Sequence, residues 1–143
     1  MALKVIVWGT GNVGRPAIRA VLSHVGLELT GVIVSNPAKV GRDAGELAGL
    51  APIGLTATDD WQSVLETEAD AVIYTATADI RPEEAMNDLL ACLEAGLNVV
   101  STSFYSYLHP NSTAEAVLKP ILGACEQGQA SLLVSGIDPG WAM

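Results

Sequence analysis

Residues 4–18 read KVIVWGTGNVGRPAI, a short apolar run followed by three glycines within six positions and then by helix-forming residues. Lys4 to Trp8 is β-rich and nearly unbroken in its apolar character, which suits a strand buried on both faces. From about Asn12 to Ser23 the apolar residues fall at Val13, Ala17, Ala20 and Val21, a helical spacing. Pro16 fits such a helix only in its first turn, where the missing N–H is not needed. A second apolar run, Leu27 to Val34, follows at the distance expected of a strand-helix-strand unit.

In that context Gly9-Thr10-Gly11-Asn12-Val13-Gly14 is more than a glycine-rich turn. GxGxxG between a strand and a helix is the dinucleotide-binding fingerprint. Gly9 makes the tight turn, Gly11 lets backbone approach a pyrophosphate, and Gly14 lets helix and strand pack closely. Backbone N–H groups around Asn12 and Val13, at the helix N-terminus, are expected to hold the phosphates, with Thr10 also among the expected cofactor-binding residues.

The rest of the chain continues the pattern. LTATDDW is expected to be a short strand leading into a helix whose first turn holds Asp59 and Asp60. ADAVIYTAT is a strand, and RPEEAMNDLLACLEAG is a helix with Pro82 and acids at its start and Gly96 as its stop. LNVVST is a strand, STAEAVLKPILGACEQG a helix interrupted by Pro120, and ASLLVSG a sixth strand. GRDAGELAGL makes a short helix with weak caps. Six alternations of strand and helix, with apolar strands, imply an α/β fold: a Rossmann-like doubly wound parallel sheet with helices on both faces. Ligands in such folds bind outside the C-terminal strand ends. Those ends carry GTGNVG, VSNP, TATAD, STSF and SGIDPG.

A nicotinamide dinucleotide without a 2′-phosphate is normally met by an acid at the end of the second strand. About 20 residues beyond Gly14 the chain reaches Ser35, and no Asp or Glu occurs between Leu29 and Ala38. Ser35, Asn36, Lys39 and Arg42 stand there instead. A hydroxyl, an amide and two cations suit a 2′-phosphate, so the expected cofactor is NADP, as NADPH or NADP+. Thr75, Ala76 and Thr77, ending the fourth predicted strand, are expected beside the nicotinamide ribose. Ser101 and Thr102, ending the fifth, are expected near the ring. Phe104, Tyr105, Tyr107 and His109 offer a proton donor in principle, but packing of a loop or interface is the favoured reading.

Charge supports this placement. The 143 residues carry a formal net charge of −9, yet residues 1–50 hold five cations against three acids. An anion is therefore expected at the N-terminal third, and the acidic remainder argues against nucleic acid or an anionic membrane as partner. No apolar run approaches the roughly 18 residues of a membrane span, and no secretory signal is apparent, so a cytoplasmic location is expected. Cys92 and Cys125 are separated and fit free thiols in helices. No metal site is expected.

With GTGNVGRPAI, SNPAKVGRDAGEL, VVSTSFYSYLHP and GIDPGWAM in view, the chain resembles the N-terminal domain of dihydrodipicolinate reductase-like oxidoreductases, in particular the 2,4-diaminopentanoate dehydrogenase and amine dehydrogenase branch. The resemblance implies hydride transfer between NAD(P)H and a C=N or C=O carbon of a small-molecule substrate. It also implies an α/β substrate domain absent from these residues, and a homo-oligomer built largely through that domain. The end at GIDPGWAM, where Asp138-Pro139 would start a helix, agrees with a missing second domain. Amine dehydrogenases of the branch carry a glutamate after the fifth strand, where this chain reads Ser103-Phe104-Tyr105, so no catalytic residue is assigned. A dinucleotide-sensing module without turnover is the alternative.

Overall fold

A computed structural model describes residues 1–135 of the chain. The fold is a five-stranded parallel sheet with helices, a Rossmann-like α/β architecture. The chain divides into two compact units, residues 1–76 and 77–143.

In the first unit, β1 (Leu3–Trp8) is flanked by β2 (Leu27–Ile33) and β3 (Ala71–Tyr74), all parallel. Val5, Ile6, Val7 and Trp8 are consecutive and all buried, so β1 has no solvent face beyond its first two residues. Its odd-numbered side chains, Val5 and Val7, pack with Val32 and Val34. Ile18 and Val21 of α1 (Gly14–Ser23) and Ala44 and Leu47 of α2 (Ala44–Leu47) complete that cluster. The other face receives α3 (Trp61–Leu65): Trp61 stacks on Trp8 with ring centroids 5.7 Å apart, and Trp8 lies 5.4 Å from Tyr74. Gly31 admits this helix, since a Cβ there would sit 2.7 Å from Val64 Cγ1. Helices thus cover both faces, as the unbroken apolar run of β1 requires.

The expected strand at LTAT does not form. Thr58 bridges Ile33, and Thr56 bridges Asp43, as isolated pairs. Ala57 exchanges hydrogen bonds with Gly41 and Arg42, while Thr58 bonds Val32 and Val34. Successive residues therefore turn to different neighbours and no ladder can build. The segment still covers the outer edge of β2, which would otherwise present unpaired backbone groups.

Asp43 corrects the expectation of weak caps on α2. Its carboxylate accepts from the N–H groups of Gly45 (2.8 Å), Glu46 (3.3 Å), Ile53 (3.0 Å) and Gly54 (2.8 Å), closing the 43–54 loop on itself. Partial burial works against its charge, but the four backbone donors outweigh it and hold the carboxyl below its ordinary range. The folded state thus binds this proton less tightly than the unfolded chain. The stabilisation is complete above the ordinary carboxyl pKa and is lost as pH falls through the lower folded value. Asp43→Asn is expected to lower the melting temperature at neutral pH and to flatten its decline in acid. Thermal unfolding from pH 7 downward measures both, and an unchanged acid limb would contradict the clamp.

In the second unit, α4 (Pro82–Glu94), β4 (Asn98–Ser101), α5 (Glu115–Gly128) and β5 (Leu132–Val134) follow in order, and β4 pairs β5 in parallel. Pro82, the acids Glu83 and Glu84, and the stop at Gly96 (φ +83°) stand where the sequence put them. Arg81, at the start of α4, pairs with Glu84 (3.1 Å) and with buried Asp88 (3.2 Å). Pro120 does not interrupt α5, which runs through it. Ala116 and Pro120 are both exposed, so the carbonyl deprived of its N–H partner can be reached by water. Cys92 is buried and its thiol is pushed up to about 12, by desolvation first and by the nearby Asp88 second. Burial likewise raises Cys125. Both behave as small apolar residues, as expected. The Asp138-Pro139 helix start and the end of the sixth expected strand lie outside the described residues.

Candidate dinucleotide site

β1 ends at Trp8 and the chain turns at Gly9 with φ +104°, a conformation that side-chain-bearing residues rarely adopt. Thr75, just after β3, fastens this turn. Its N–H and hydroxyl both donate to Trp8 O (2.8 and 3.0 Å), and the hydroxyl also lies 3.2 Å from Gly9 O. Gly14 then opens α1 directly over the turn: a Cβ on Gly14 would lie 1.9 Å from Gly9 O. Pro16 falls in the first turn, where it costs least.

Gly11 is different. A Cβ built on it would meet nothing within 4 Å, so no contact inside the protein requires glycine there. The residue is small where the loop faces open space, which fits a ligand approaching the backbone. The helix behind it has a matching property. Asp43 and Asp60 cap α2 and α3, and α4 and α5 carry Glu83, Glu84 and Glu115 in their first turns. Among the described residues, α1 is the helix with neither a side-chain cap nor an acid in its first turn. Its positive pole therefore has no counter-charge from its own first turn, a setting that suits an anion, and exposed Arg15 adds a cation beside it.

The segment after β2 reaches this loop through one residue. Lys39 Nζ donates to Thr10 O at 2.9 Å and to Thr10 Oγ1 at 3.1 Å. Asn36 Oδ1 accepts from Ala38 N–H (3.0 Å) and Asn36 O accepts from Lys39 N–H (2.9 Å), a turn that carries Lys39 back toward the glycines. Asn36 keeps its amide N–H donors. Ser35 and Arg42 are exposed at either end of this turn, and neither side chain hydrogen-bonds the loop. The structure therefore gathers Gly9 to Gly14, Lys39 and Thr75, with Ser35, Asn36 and Arg42 on the adjoining turn and Ala76 just beyond Thr75.

Thr77, Ser101 and Thr102 belong to the second unit. Ser101 is buried and its Oγ accepts from Ser103 N–H at 2.9 Å. Thr102 is half-buried and Thr77 exposed. Phe104 and Tyr107 pack inside, and the Tyr107 hydroxyl donates to Val117 O at 3.1 Å. Tyr105 and His109 instead line an open groove of about 430 Å³, where His109 Nδ1 lies 2.6 Å from Ser112 Oγ. Phe104 and Tyr107 thus pack within the loop as expected, while Tyr105 and His109 are exposed on its surface. Sequence reasoning also missed the clamping role of Thr75 and the Thr10–Lys39 contact. Neither leaves a local signal, since the partners are 66 or more and 29 residues apart.

A parallel strand-helix-strand unit whose positive-φ glycine turn opens an uncapped helix defines a nucleotide-binding Rossmann domain. Residues 3–116 match the family model described as dihydrodipicolinate reductase, N-terminus. The chain belongs to this family and is a nucleotide-binding N-terminal domain of the dehydrogenase/reductase type. It is similar to an amine dehydrogenase from Streptomyces virginiae, 50% identical over 141 residues that cover 97% of this chain and 39% of that protein. It is also similar to a 4-hydroxy-tetrahydrodipicolinate reductase from Anaeromyxobacter sp. (strain Fw109-5), 34% identical over 85% of this chain and 44% of that protein. Among solved structures, the amine dehydrogenase from Mycobacterium smegmatis superposes with a TM-score of 0.82 at 28% identity, covering 95% of this chain and 40% of that one. The chain spans about two fifths of the length of these relatives. The family implies an NAD(P) cofactor. Among the described residues, no helix is long and apolar enough to cross a membrane.

Proposed function

We propose that this chain is the NADP(H)-binding domain of an oxidoreductase that moves a hydride between the nicotinamide and a C=N or C=O carbon of a small substrate. The observation that carries the reading is the pairing of Lys39 with the fingerprint loop, just beyond a second strand whose end is followed by Ser35, with no acid between Leu29 and Ala38. Gly9, Gly11 and Gly14, with the backbone of Thr10, Asn12 and Val13, hold the pyrophosphate. Ser35, Asn36, Lys39 and Arg42 hold the 2′-phosphate. Thr75 fixes the turn, and Ala76 supplies a small surface beside it. When bound, the cofactor supplies or accepts the hydride, and this chain's residues bind and orient it. The relatives are named a reductase and an amine dehydrogenase, which supports oxidoreductase chemistry, and the reading assigns the substrate-binding residues to length beyond this chain.

The test is the ratio of dissociation constants for NADPH and NADH in the full-length protein, measured by calorimetry. NADPH is expected to bind more tightly. Lys39→Ala and Arg42→Ala are each expected to weaken NADPH about tenfold, the ~1.4 kcal/mol of one charge-assisted contact, while changing NADH little. A wild-type preference for NADH refutes the cofactor assignment. Turnover with a panel of imines and ketones tests the chemistry, and binding without turnover across the panel would leave a dinucleotide sensor instead.

A further inference from the structure

Lysine ammonium groups are strongly hydrated, and the flexible stem that carries them makes fixing them entropically costly. Lys39 is nonetheless held by two acceptors on one residue, Thr10 O at 2.9 Å and Thr10 Oγ1 at 3.1 Å. Thr10 is itself buried, 5% exposed, so it is a fixed anchor rather than a surface partner. Its place is set by the paired strands on which the two segments stand: Trp8 lies opposite Ile33 in the β1–β2 register, and both segments leave those strands at the same end. An ammonium has three N–H donors. Two go to Thr10, and the third has no protein partner among the described residues.

We infer that Thr10 is a positioning residue for cofactor selectivity: its carbonyl and hydroxyl hold the Lys39 ammonium in place before the dinucleotide arrives, so that the remaining N–H meets the 2′-phosphate. The inference rests on the NADP(H) reading above and deepens it. Fingerprint threonines are ordinarily read as backbone contributors to pyrophosphate binding, a contact common to NADPH and NADH. A hydroxyl that acts through Lys39 affects only the dinucleotide carrying the extra phosphate. Ordering the lysine in advance removes an entropic cost from the binding step, and that saving shrinks if the hydroxyl is lost and the carbonyl alone holds the ammonium.

The experiment compares Thr10→Val, which keeps the branched shape and removes the hydroxyl acceptor while leaving the carbonyl, with Thr10→Ser, which keeps both acceptors. Dissociation constants for NADPH and NADH are measured on the full-length protein, with adenosine 2′,5′-bisphosphate and AMP as smaller probes. Thr10→Val is expected to weaken NADPH and the bisphosphate about fivefold and to leave NADH and AMP within about twofold, while Thr10→Ser stays near wild type. In the Thr10→Val, Lys39→Ala double variant the two losses are expected to be less than additive, as for residues acting through one contact. Parallel weakening of all four ligands in Thr10→Val would assign Thr10 to the pyrophosphate alone and overturn the inference. So would fully additive losses, or a Thr10→Val protein with its NADPH selectivity intact. A wild-type protein that does not prefer NADPH refutes the underlying cofactor reading, a result distinct from a preference that survives Thr10→Val. Melting temperatures of the Ser and Val variants separate a folding defect from a binding one.

Discussion

Gly14→Ala is expected to cost about 3 kcal/mol of stability and to abolish measurable dinucleotide binding, whereas Gly11→Ala abolishes or weakens binding with the melting temperature unchanged. The difference lies in what each new methyl group would touch. At Gly14 the Cβ would sit 1.9 Å from Gly9 O, 2.5 Å from Gly9 C and 2.9 Å from Thr75 Oγ1. The first two are backbone atoms of a turn already held by Thr75, so α1 must be pushed off β1 to make room. That movement disturbs the packing of Ile18 and Val21 against Val5 and Val7. At Gly11 the Cβ would enter space free of protein atoms within 4 Å. The folded state tolerates it, but a pyrophosphate lying against the backbone does not, and at least about a tenfold loss of affinity is expected, ~1.4 kcal/mol. Chemical denaturation of both variants, with calorimetric titration of NADPH, measures the contrast. Full affinity in Gly11→Ala would place the cofactor elsewhere.

Ser35→Asp carries the second large effect. It restores, at the end of β2, the acid that this chain lacks, on an exposed residue with room for the longer side chain. A carboxylate beside a doubly charged 2′-phosphate repels it. Even with solvent screening, a loss of about 2.7 kcal/mol, or about a hundredfold in the NADPH dissociation constant, is expected. NADH has ribose hydroxyls at that position, which the carboxylate accepts from, so its affinity holds or improves. The ratio of the two dissociation constants should therefore move in the same direction as in Lys39→Ala, but further. Equal effects on both dinucleotides would mean that Ser35 does not face the adenosine ribose.

Much of the fold is legible because its signals are local. The apolar run of β1, the glycine spacing, Pro82 with its following acids, and the stop at Gly96 each depend on a few neighbouring residues. The family segments are likewise contiguous. The misread elements fail for a common reason. LTAT has strand-forming residues, but whether a ladder forms depends on partners 13 to 26 residues away, and here they lie on two sides. Pro120 usually ends a helix, yet the side of α5 on which it falls leaves the orphaned carbonyl to water. Asp43 looked like a weak cap because two of its four donors, Ile53 and Gly54, come from the far end of a loop.

The sequence by itself determined the kind of domain and where along it the glycines and cations gather, because backbone conformation at glycine and the charge of a segment are properties of single residues and their neighbours. Only the tertiary structure decided which side chains act together. Lys39 meets Thr10 because β1 and β2 run in parallel and release their loops at the same end. Thr75 locks Gly9 because β3 pairs on the other side of β1. Such contacts join residues 29 to 67 positions apart, and a sheet must exist before they can form.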